Sequence, residues 1–461
     1  MKQKMQEFQI KYDIVVCGGG PAGLSAAITA KRMGLKTLIV EKNGYLGGSL
    51  AIGLSPLSFL DKKGRKCVGG FAEEFMEILK ENGYSYGTSV CPKHNSVTCV
   101  NAEGVKIMAT KLCRDIGVDI LLHSEILEVE KQNNLIKSIT CFGKCNRVRI
   151  TAKQFIDCTS DGDLAYLADC EYDKGQEGSG VLQPPTVMFT LEGVNQEKLF
   201  EYVEQHPEEL LYKDAAIYEN PDYTIDHFRK NESHVFVGLQ ATFRKLKSQG
   251  KLPVKRESFI YINSTNPGEV YVNSIRLTDT DATDIMDLSN AEVEGILQVP
   301  QLVKLLKESI PGFENCFVSA ISSSIGVRET RRFKGIKTVT QNDAISGSIP
   351  DDSIALSGYK IDVHSGKDTG LLFRDIEEPF GISYGCLIPP SVDNLMVAGR
   401  CISADAIALG SLRIIPTCMA LGQAAGVGAS LAVKKDLSPK NVDVLEIREE
   451  LIKNNAILKM N

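Results

Sequence analysis

Tyr12-Asp13-Ile14-Val15-Val16-Cys17 is a short apolar, β-branched run that ends at Gly18-Gly19-Gly20-Pro21-Ala22-Gly23 and passes directly into a helical stretch, Leu24 to Met33. Gly34 closes that helix, and Lys36-Thr37-Leu38-Ile39-Val40-Glu41 reads as a second buried strand. Strand, helix and strand of this length form a right-handed parallel crossover, which belongs to a layered α/β fold. The turn matches G-x-G-x-x-G, and each glycine has its own reason. Gly18 permits the tight turn, Gly20 lets backbone approach a pyrophosphate, and Gly23 lets helix and strand pack closely. Pro21 and Ala22 open a helix whose first N–H groups lack intrahelical acceptors and suit phosphate oxygens. Glu41 ends the second strand, where a carboxylate accepts hydrogen bonds from an adenosine ribose. A dinucleotide site follows, and the same carboxylate would repel the 2′-phosphate of NADP, leaving FAD or NAD.

The loop after Glu41 narrows the choice. Lys42-Asn43-Gly44-Tyr45-Leu46-Gly47-Gly48 joins an acid to a glycine pair, and this resembles FAD proteins of the glutathione-reductase-like class. In that class the loop passes beneath the pyrophosphate, which implicates Lys42, Gly47 and Gly48. The chain has a single G-x-G-x-x-G, so a second, nicotinamide-binding domain is not expected. Ser49-Leu50-Ala51-Ile52 follows the glycine pair where a disulfide reductase would carry two cysteines.

Further runs extend the resemblance over nearly the whole chain. Gln183-Pro184-Pro185-Thr186, Gly326-Val327-Arg328-Glu329-Thr330-Arg331-Arg332, Cys386-Leu387-Ile388-Pro389 and the block from Asn394 to Gly426 look like the FAD-dependent oxidoreductase family. The family resembles fumarate-reductase-type flavoproteins more distantly. The resemblance implies an α/β fold: a Rossmann-like FAD-binding domain with an inserted α+β substrate domain, and an isoalloxazine ring held between them. Texture suggests the boundaries. Strands and a helix over 103–165 continue the first unit. Gly175 to Gly180 and Pro184-Pro185 open a different texture, with strands around 186–192, 234–240, 259–263 and 269–276 and a helical region at 290–309 that Pro300 should kink or break. The expected division is 1–169 for the first part of the FAD domain, 170–375 for the insert and 376–461 for the return segment.

The return segment holds the second half of the expected flavin site. Asn394 to Arg400 reads as a buried strand ending at Gly399-Arg400. Gly410-Ser411-Leu412-Arg413-Ile414-Ile415-Pro416-Thr417 leads into an Ala/Gly-rich helix. A helix N-terminus there, with Pro416 in its first turn, would stabilise negative charge on a reduced flavin ring. Gly399, Arg400, Gly410, Ser411 and Thr417 are therefore candidate cofactor contacts, and Arg413 is a contact of either flavin or substrate. Asp161, in the turn after the strand Gln154–Asp157, either binds a flavin hydroxyl or caps its own turn. Ser160 stands where relatives of the family commonly have Gly.

Arg328 is the leading candidate for holding a substrate carboxylate or a developing oxyanion, because its planar fork donates in pairs. The alternative is a salt bridge with Glu329, Asp343 or another acid at the domain junction. His364 and Tyr384 are the acid/base candidates, each with a structural reading beside it. Relatives often carry a histidine just before the Gly-Ser-x-Arg stretch, and Ser403-Ala404-Asp405-Ala406-Ile407-Ala408 has none.

Several classes are disfavoured. A net charge of −6 argues against a nucleic-acid scaffold. The 13 cysteines are scattered, with no Cys-x-x-Cys, so neither an iron–sulfur cluster nor structural zinc is expected, and no histidine spacing suggests a metal. Pro416 to Val433 approaches a membrane span in length, but its Ala/Gly composition fits a tightly packed core helix. Met1-Lys2-Gln3-Lys4 leads into polar sequence rather than a secretory segment, so a cytoplasmic protein is expected. These residues point to an oxidoreductase that exchanges hydride at flavin N5 with a small polar, carboxylate-bearing metabolite. The alternative is an FAD-binding subunit that depends on an external electron donor or acceptor protein. A thiazole-synthase-like NAD-consuming protein shares the first motif but not the insert or the return block.

Overall fold

The computed structural model describes residues 6–210, 222–367 and 371–460. Its first layer is a seven-stranded sheet built around two long neighbours, Gln6–Cys17 and Asn146–Asp157, which run parallel in register from Gln6 opposite Asn146 to Cys17 opposite Asp157. Thr37–Val40 and then Asp119–Leu121 extend the sheet on one side, both parallel. On the other side, Asn146–Asp157 is shared. Its first half pairs antiparallel with Leu135–Gly143, and its last residues pair parallel with Leu395–Val397. The parallel strands thus deliver Gly18, Glu41, Cys158 and Ala398 to one edge of the sheet, outside the strand carboxyl ends. Ligands of open α/β sheets bind at that edge.

The Ala/Gly helix is Ile415–Lys435, and its composition has a direct cause. A Cβ on Gly422 would lie 2.1 Å from the Ala22 carbonyl oxygen, and one on Gly426 would lie 2.7 Å from that of Ala26. The helix backbone therefore rests on the backbone of the turn helix, Pro21–Arg32, and the two halves of the dinucleotide unit are clamped together. Among the described residues this is one helix long and apolar enough to cross a membrane, yet 89% of its apolar window is buried inside the protein.

The second layer is a five-stranded antiparallel sheet, ordered Val235–Gly238, Phe259–Asn263, Val270–Arg276, Thr186–Glu192, Phe317–Ile321. The helix Ile285–Ser309 packs on it through Gly295, where a Cβ would lie 2.1 Å from Val187 Cγ2. The break expected at Pro300 does not occur. Pro300 and Ile296 both face solvent, so water can satisfy the Ile296 carbonyl that the missing N–H leaves free.

The apolar residues of 170–375 divide mainly between two cores. One takes apolar residues from Val187 to Ile325 and also from the hairpin Ser85–Cys91 and Asn95–Val100. Val339, Ile354, Ile361, Val363 and Ile376 pack instead into the first core, with Leu412 and Met419. Their β-rich texture matches that of the insert, so composition alone does not separate them. Cys17, Cys158 and Cys401 are fully buried packing groups, and burial pushes their thiols well above the ordinary range.

Candidate functional site

A cavity of about 1360 Å³ runs along the carboxyl edge of the first sheet and on toward the second. At its first end the glycine turn and the loop after Glu41 interleave. Gly18 has φ +101°, and its Cβ would lie 2.3 Å from the Cys158 carbonyl oxygen. A Cβ on Gly23 would lie 1.8 Å from the Gly18 carbonyl oxygen, and one on Gly48 2.7 Å from Gly20 Cα. Gly20 has no such neighbour closer than 3.9 Å, and it lines the cavity with Gly18, Pro21, Ala22 and Gly48. The turn helix begins there without a side-chain cap, so its leading N–H groups face the cavity end unclaimed by side chains. Gly47, with φ +110°, shapes the loop but does not reach the cavity wall.

Glu41 is 7% exposed and lies on that wall beside Lys42. Its Oε2 accepts from the Gly19 N–H at 2.6 Å, and its Oε1 from the backbone and side chain of Asn43, both at 2.8 Å. Three of the roughly four lone-pair sites of a carboxylate are thus fixed by the chain. The group is oriented and retains capacity for a further donor such as a ribose hydroxyl.

In the middle of the cavity Asp161 and Arg400 engage each other at 2.5 Å, and Thr330 bridges them with 2.9 Å contacts to each. Gly399, φ +96°, precedes Arg400 on the same wall. Ser160 has φ +69°, in the left-handed region that favours glycine.

At the far end the helix Ile415–Lys435 also begins without a side-chain cap, and Ile414, Ile415 and Cys418 line the cavity. Thr417 does not line it, although its hydroxyl is buried without a hydrogen-bond partner among the described residues. Arg413 closes the preceding helix. Its Nη2 donates to the Asp362 carbonyl at 3.0 Å and to Asp362 Oδ2 at 3.2 Å, while its buried Nε has no partner among the described residues. Arg328 Nη1 donates to the Pro184 carbonyl at 2.7 Å. Among the described residues Arg328 has no salt bridge: Glu329 pairs with Arg332, and Asp343 takes part in the capping box of the helix Gln341–Ser346.

His364 lies among these arginines. Its Nδ1 accepts from Arg276 Nη2 at 2.9 Å, which puts the ring proton on Nε2, 3.2 Å from Asp362 Oδ1. Burial and the fields of Arg328, Arg276, Arg413 and Arg256 hold the imidazole neutral, far below its ordinary range. Burial and the other three arginines likewise depress Arg328.

Other candidates stand apart. Tyr384 is buried away from the cavity; its hydroxyl donates to the Pro439 carbonyl at 3.0 Å, and burial raises it far above the ordinary phenol range. Of the two readings of Tyr384, acid/base group and structural group, this environment is that of the second, and the residue does not line the cavity. Ser411 donates to the Tyr359 carbonyl, and Gly410 packs on Val363 and Asp362. Both hold the ground beneath Arg413 and Tyr359 without lining the cavity themselves. Gly23 is likewise a packing position. Arg256, Arg276, Tyr359 and Asp362 line the cavity and went unnoticed in the sequence. An arginine near a strand end has no local signature, and only the pairing of Val270–Arg276 with Thr186–Glu192 brings Arg276 there. Among the described residues no group of three metal-ligating side chains occurs.

Comparison with known proteins bears on this geometry. Dihydrolipoyl dehydrogenase of Trypanosoma brucei brucei is 59% identical over 46 residues, 10% of each chain. Thioredoxin reductase of Ureaplasma parvum serovar 3 is 56% identical over 41 residues, 9% of this chain and 13% of its own. The chain thus spans only about a tenth of the length of the curated relatives it matches. A solved geranylgeranyl bacteriochlorophyll reductase-like protein of Thermoplasma acidophilum aligns over 97% of this chain and 85% of its own, at 16% identity and TM-score 0.46. The flavin-dependent brominase Bmp2 aligns over 97% and 84%, at 12% identity and TM-score 0.47. The family described as FAD dependent oxidoreductase matches residues 13–451, nearly the whole chain, and the chain belongs to that family.

Proposed function

We propose that this protein oxidises or reduces a small anionic metabolite, with FAD lying along the cavity from the glycine turn to the Arg328 end. The observation that carries this reading is the continuity of one cavity between Glu41 at one end and Arg328, Arg413 and His364 at the other. FAD supplies hydride exchange at N5 when bound. The chain supplies the rest. Gly20 and Gly48 keep the wall free of side chains, and the uncapped turn helix favours phosphate. The uncapped start of Ile415–Lys435 favours negative charge at the far end. Arg328, with its guanidinium turned to a carbonyl and no carboxylate partner among the described residues, is the anchor for a substrate carboxylate. His364, whose two ring nitrogens engage Arg276 and Asp362, orients these groups instead of relaying protons. Thirteen free thiols suit a reducing compartment, so the cytoplasm is the proposed setting.

The single dinucleotide motif also favours an external source of electrons, either a diffusing nicotinamide or a partner protein. Anaerobic titration of the yellow protein separates these two. Bleaching by NADH supports a self-sufficient enzyme, and bleaching only by dithionite or a reduced carrier protein supports a subunit that needs a partner. Failure to bind FAD at all would overturn both.

A further inference from the structure

We propose that the substrate is an amphipathic carboxylic acid, its carboxylate at Arg328 and its apolar arm laid across the second sheet over Ile260 and Val237. The proposal rests on the reading of the protein as an FAD oxidoreductase of an anionic metabolite, and it specifies what that metabolite carries beyond its charge.

The second sheet turns one face to the cavity, and strand pairing sets the order of residues along it. Arg328 donates to the Pro184 carbonyl at 2.7 Å, just ahead of the strand Thr186–Glu192. Thr186 bridges to Gly326, and both line the cavity. On the neighbouring strand Asn273 Oδ1 lies 2.8 Å from the Thr186 hydroxyl. Asn273 stands one residue beyond the Tyr261–Val272 pair, which sets it opposite Ile260. Ile260 pairs in turn with Val237, and Ile262 with Val235. Residues opposed in this way point to the same face, and all four of these aliphatic residues line the cavity. The face therefore passes from polar groups beside Arg328 to two aliphatic pairs. Neighbouring strands lie about 4.8 Å apart, so Ile260 is about 10 Å and Val237 about 14 Å across the sheet from Thr186.

The other face of the same strands is filled by the insert's own core. Phe236 stacks on Tyr261 with ring centroids 5.1 Å apart, and Phe259 meets Phe313 edge-on at 5.4 Å. A sheet with one face in its core and the other toward water alternates apolar with polar residues. Here the alternation is aromatic with aliphatic, so the cavity side is also built for apolar contact. It is not closed off: Ile260 is half-buried, and Val237 is 9% exposed. A small cluster of Tyr359, Phe373 and Ile414, apart from the larger cores, lines the cavity too. Charged side chains on this stretch are occupied. Lys247 pairs with Glu257 at 3.1 Å, Lys93 Nζ lies 4.2 Å from the centre of the Tyr223 ring, and Arg244 and Arg256 are engaged as well. An apolar arm that covers the aliphatic pairs removes their remaining surface from water, and it reaches them from a carboxylate held at the polar end.

The test uses the FAD-loaded protein and reads the flavin absorbance change and the thermal midpoint on titration with butyrate, octanoate and 1-octanol. Octanoate should bind about a hundredfold more tightly than butyrate, the scale of burying its additional methylenes. The uncharged 1-octanol should bind about tenfold or more weakly than octanoate. Val237→Thr and Ile260→Thr keep a β-branched side chain but place a hydroxyl under the arm. Each should lower the preference for octanoate over butyrate to about twentyfold or less, with flavin content retained. Equal binding of butyrate and octanoate by the unmodified protein would overturn the apolar arm and leave the underlying reading in place. So would an undiminished preference in both threonine variants. Octanol bound as tightly as octanoate would overturn the carboxylate anchor. A protein that takes up no FAD, or that binds neither carboxylate, would overturn the underlying reading and this proposal with it.

Discussion

His364 Nδ1 accepts its hydrogen bond from Arg276 Nη2 at 2.9 Å, so a histidine of the first core is locked by a guanidinium of the second sheet. An arginine only donates, so this imidazole has no room for a second proton on Nδ1. The contact fixes tautomer and charge state together, and it ties the strand Ile361–His364 to the second sheet.

Acid should therefore weaken the fold. His364 is held neutral in the native state, and burial lowers His94 to about 3 and His234 to about 4. The unfolded chain binds these protons near pH 6.5 while the native chain does not, so stability is full above about pH 6.5 and is lost as pH falls below it. Asp157, raised to about 6 by burial, opposes this by one proton between about pH 6 and 4. Asp163 and Glu329, also raised by burial, oppose it as well. The lowering of His227 adds to it, and the expected net effect is a loss of stability as pH falls toward about 5. Urea melts at pH 7, 6 and 5 measure it, and His234→Gln should flatten the slope by about 1.4 kcal/mol per unit. A slope that variant leaves unchanged would remove the histidines as its cause.

Arg328→Ala should leave flavin content intact and lower kcat/KM for the eventual substrate on the order of 10²-fold, the scale of losing one partner of a buried charged contact. Arg328→Lys should recover little, since an ammonium lacks the planar fork. Steady-state kinetics beside a flavin spectrum read both quantities. Undiminished turnover in Arg328→Ala would remove this residue from the site.

Two glycines of one motif should behave oppositely. Gly23→Ala drives a methyl to 1.8 Å from a backbone oxygen and should prevent stable folding. Gly20→Ala meets nothing closer than 3.9 Å, so the apoprotein should melt normally while its affinity for FAD falls. Thermal melts of the two apoproteins, followed by FAD titration of the one that folds, make the comparison.

Tyr384→Phe removes one buried hydrogen bond, to the Pro439 carbonyl. It should cost about 1 kcal/mol of stability and leave turnover unchanged. A large loss of turnover would return Tyr384 to the chemistry.

Legibility in the sequence followed backbone necessity. Gly18, Gly20, Gly23 and Glu41 were readable because the turn and the strand end admit few other residues, and Gly422 and Gly426 because one helix backbone rests on another. Arg328 and His364 stood out as charged or titratable groups at a change of texture. The sequence left both readings of Tyr384 open because its partner, Pro439, lies far along the chain. Arg276 and Arg256 were invisible because their meaning comes entirely from strand pairing in the insert. The division of 170–375 between two cores escaped for a related reason. Short β-rich segments look alike whichever core they join.

The most direct measurement is the FAD content of the purified protein, taken by absorbance after denaturation, before and after incubation with excess FAD. The account predicts a yellow protein that carries or takes up one FAD per chain, with uptake lost in Gly48→Val, whose side chain would strike Gly20 in the wall of the cavity. A folded protein that stays colourless when FAD is supplied, or Gly48→Val that loads as fully as the unmodified chain, would contradict it.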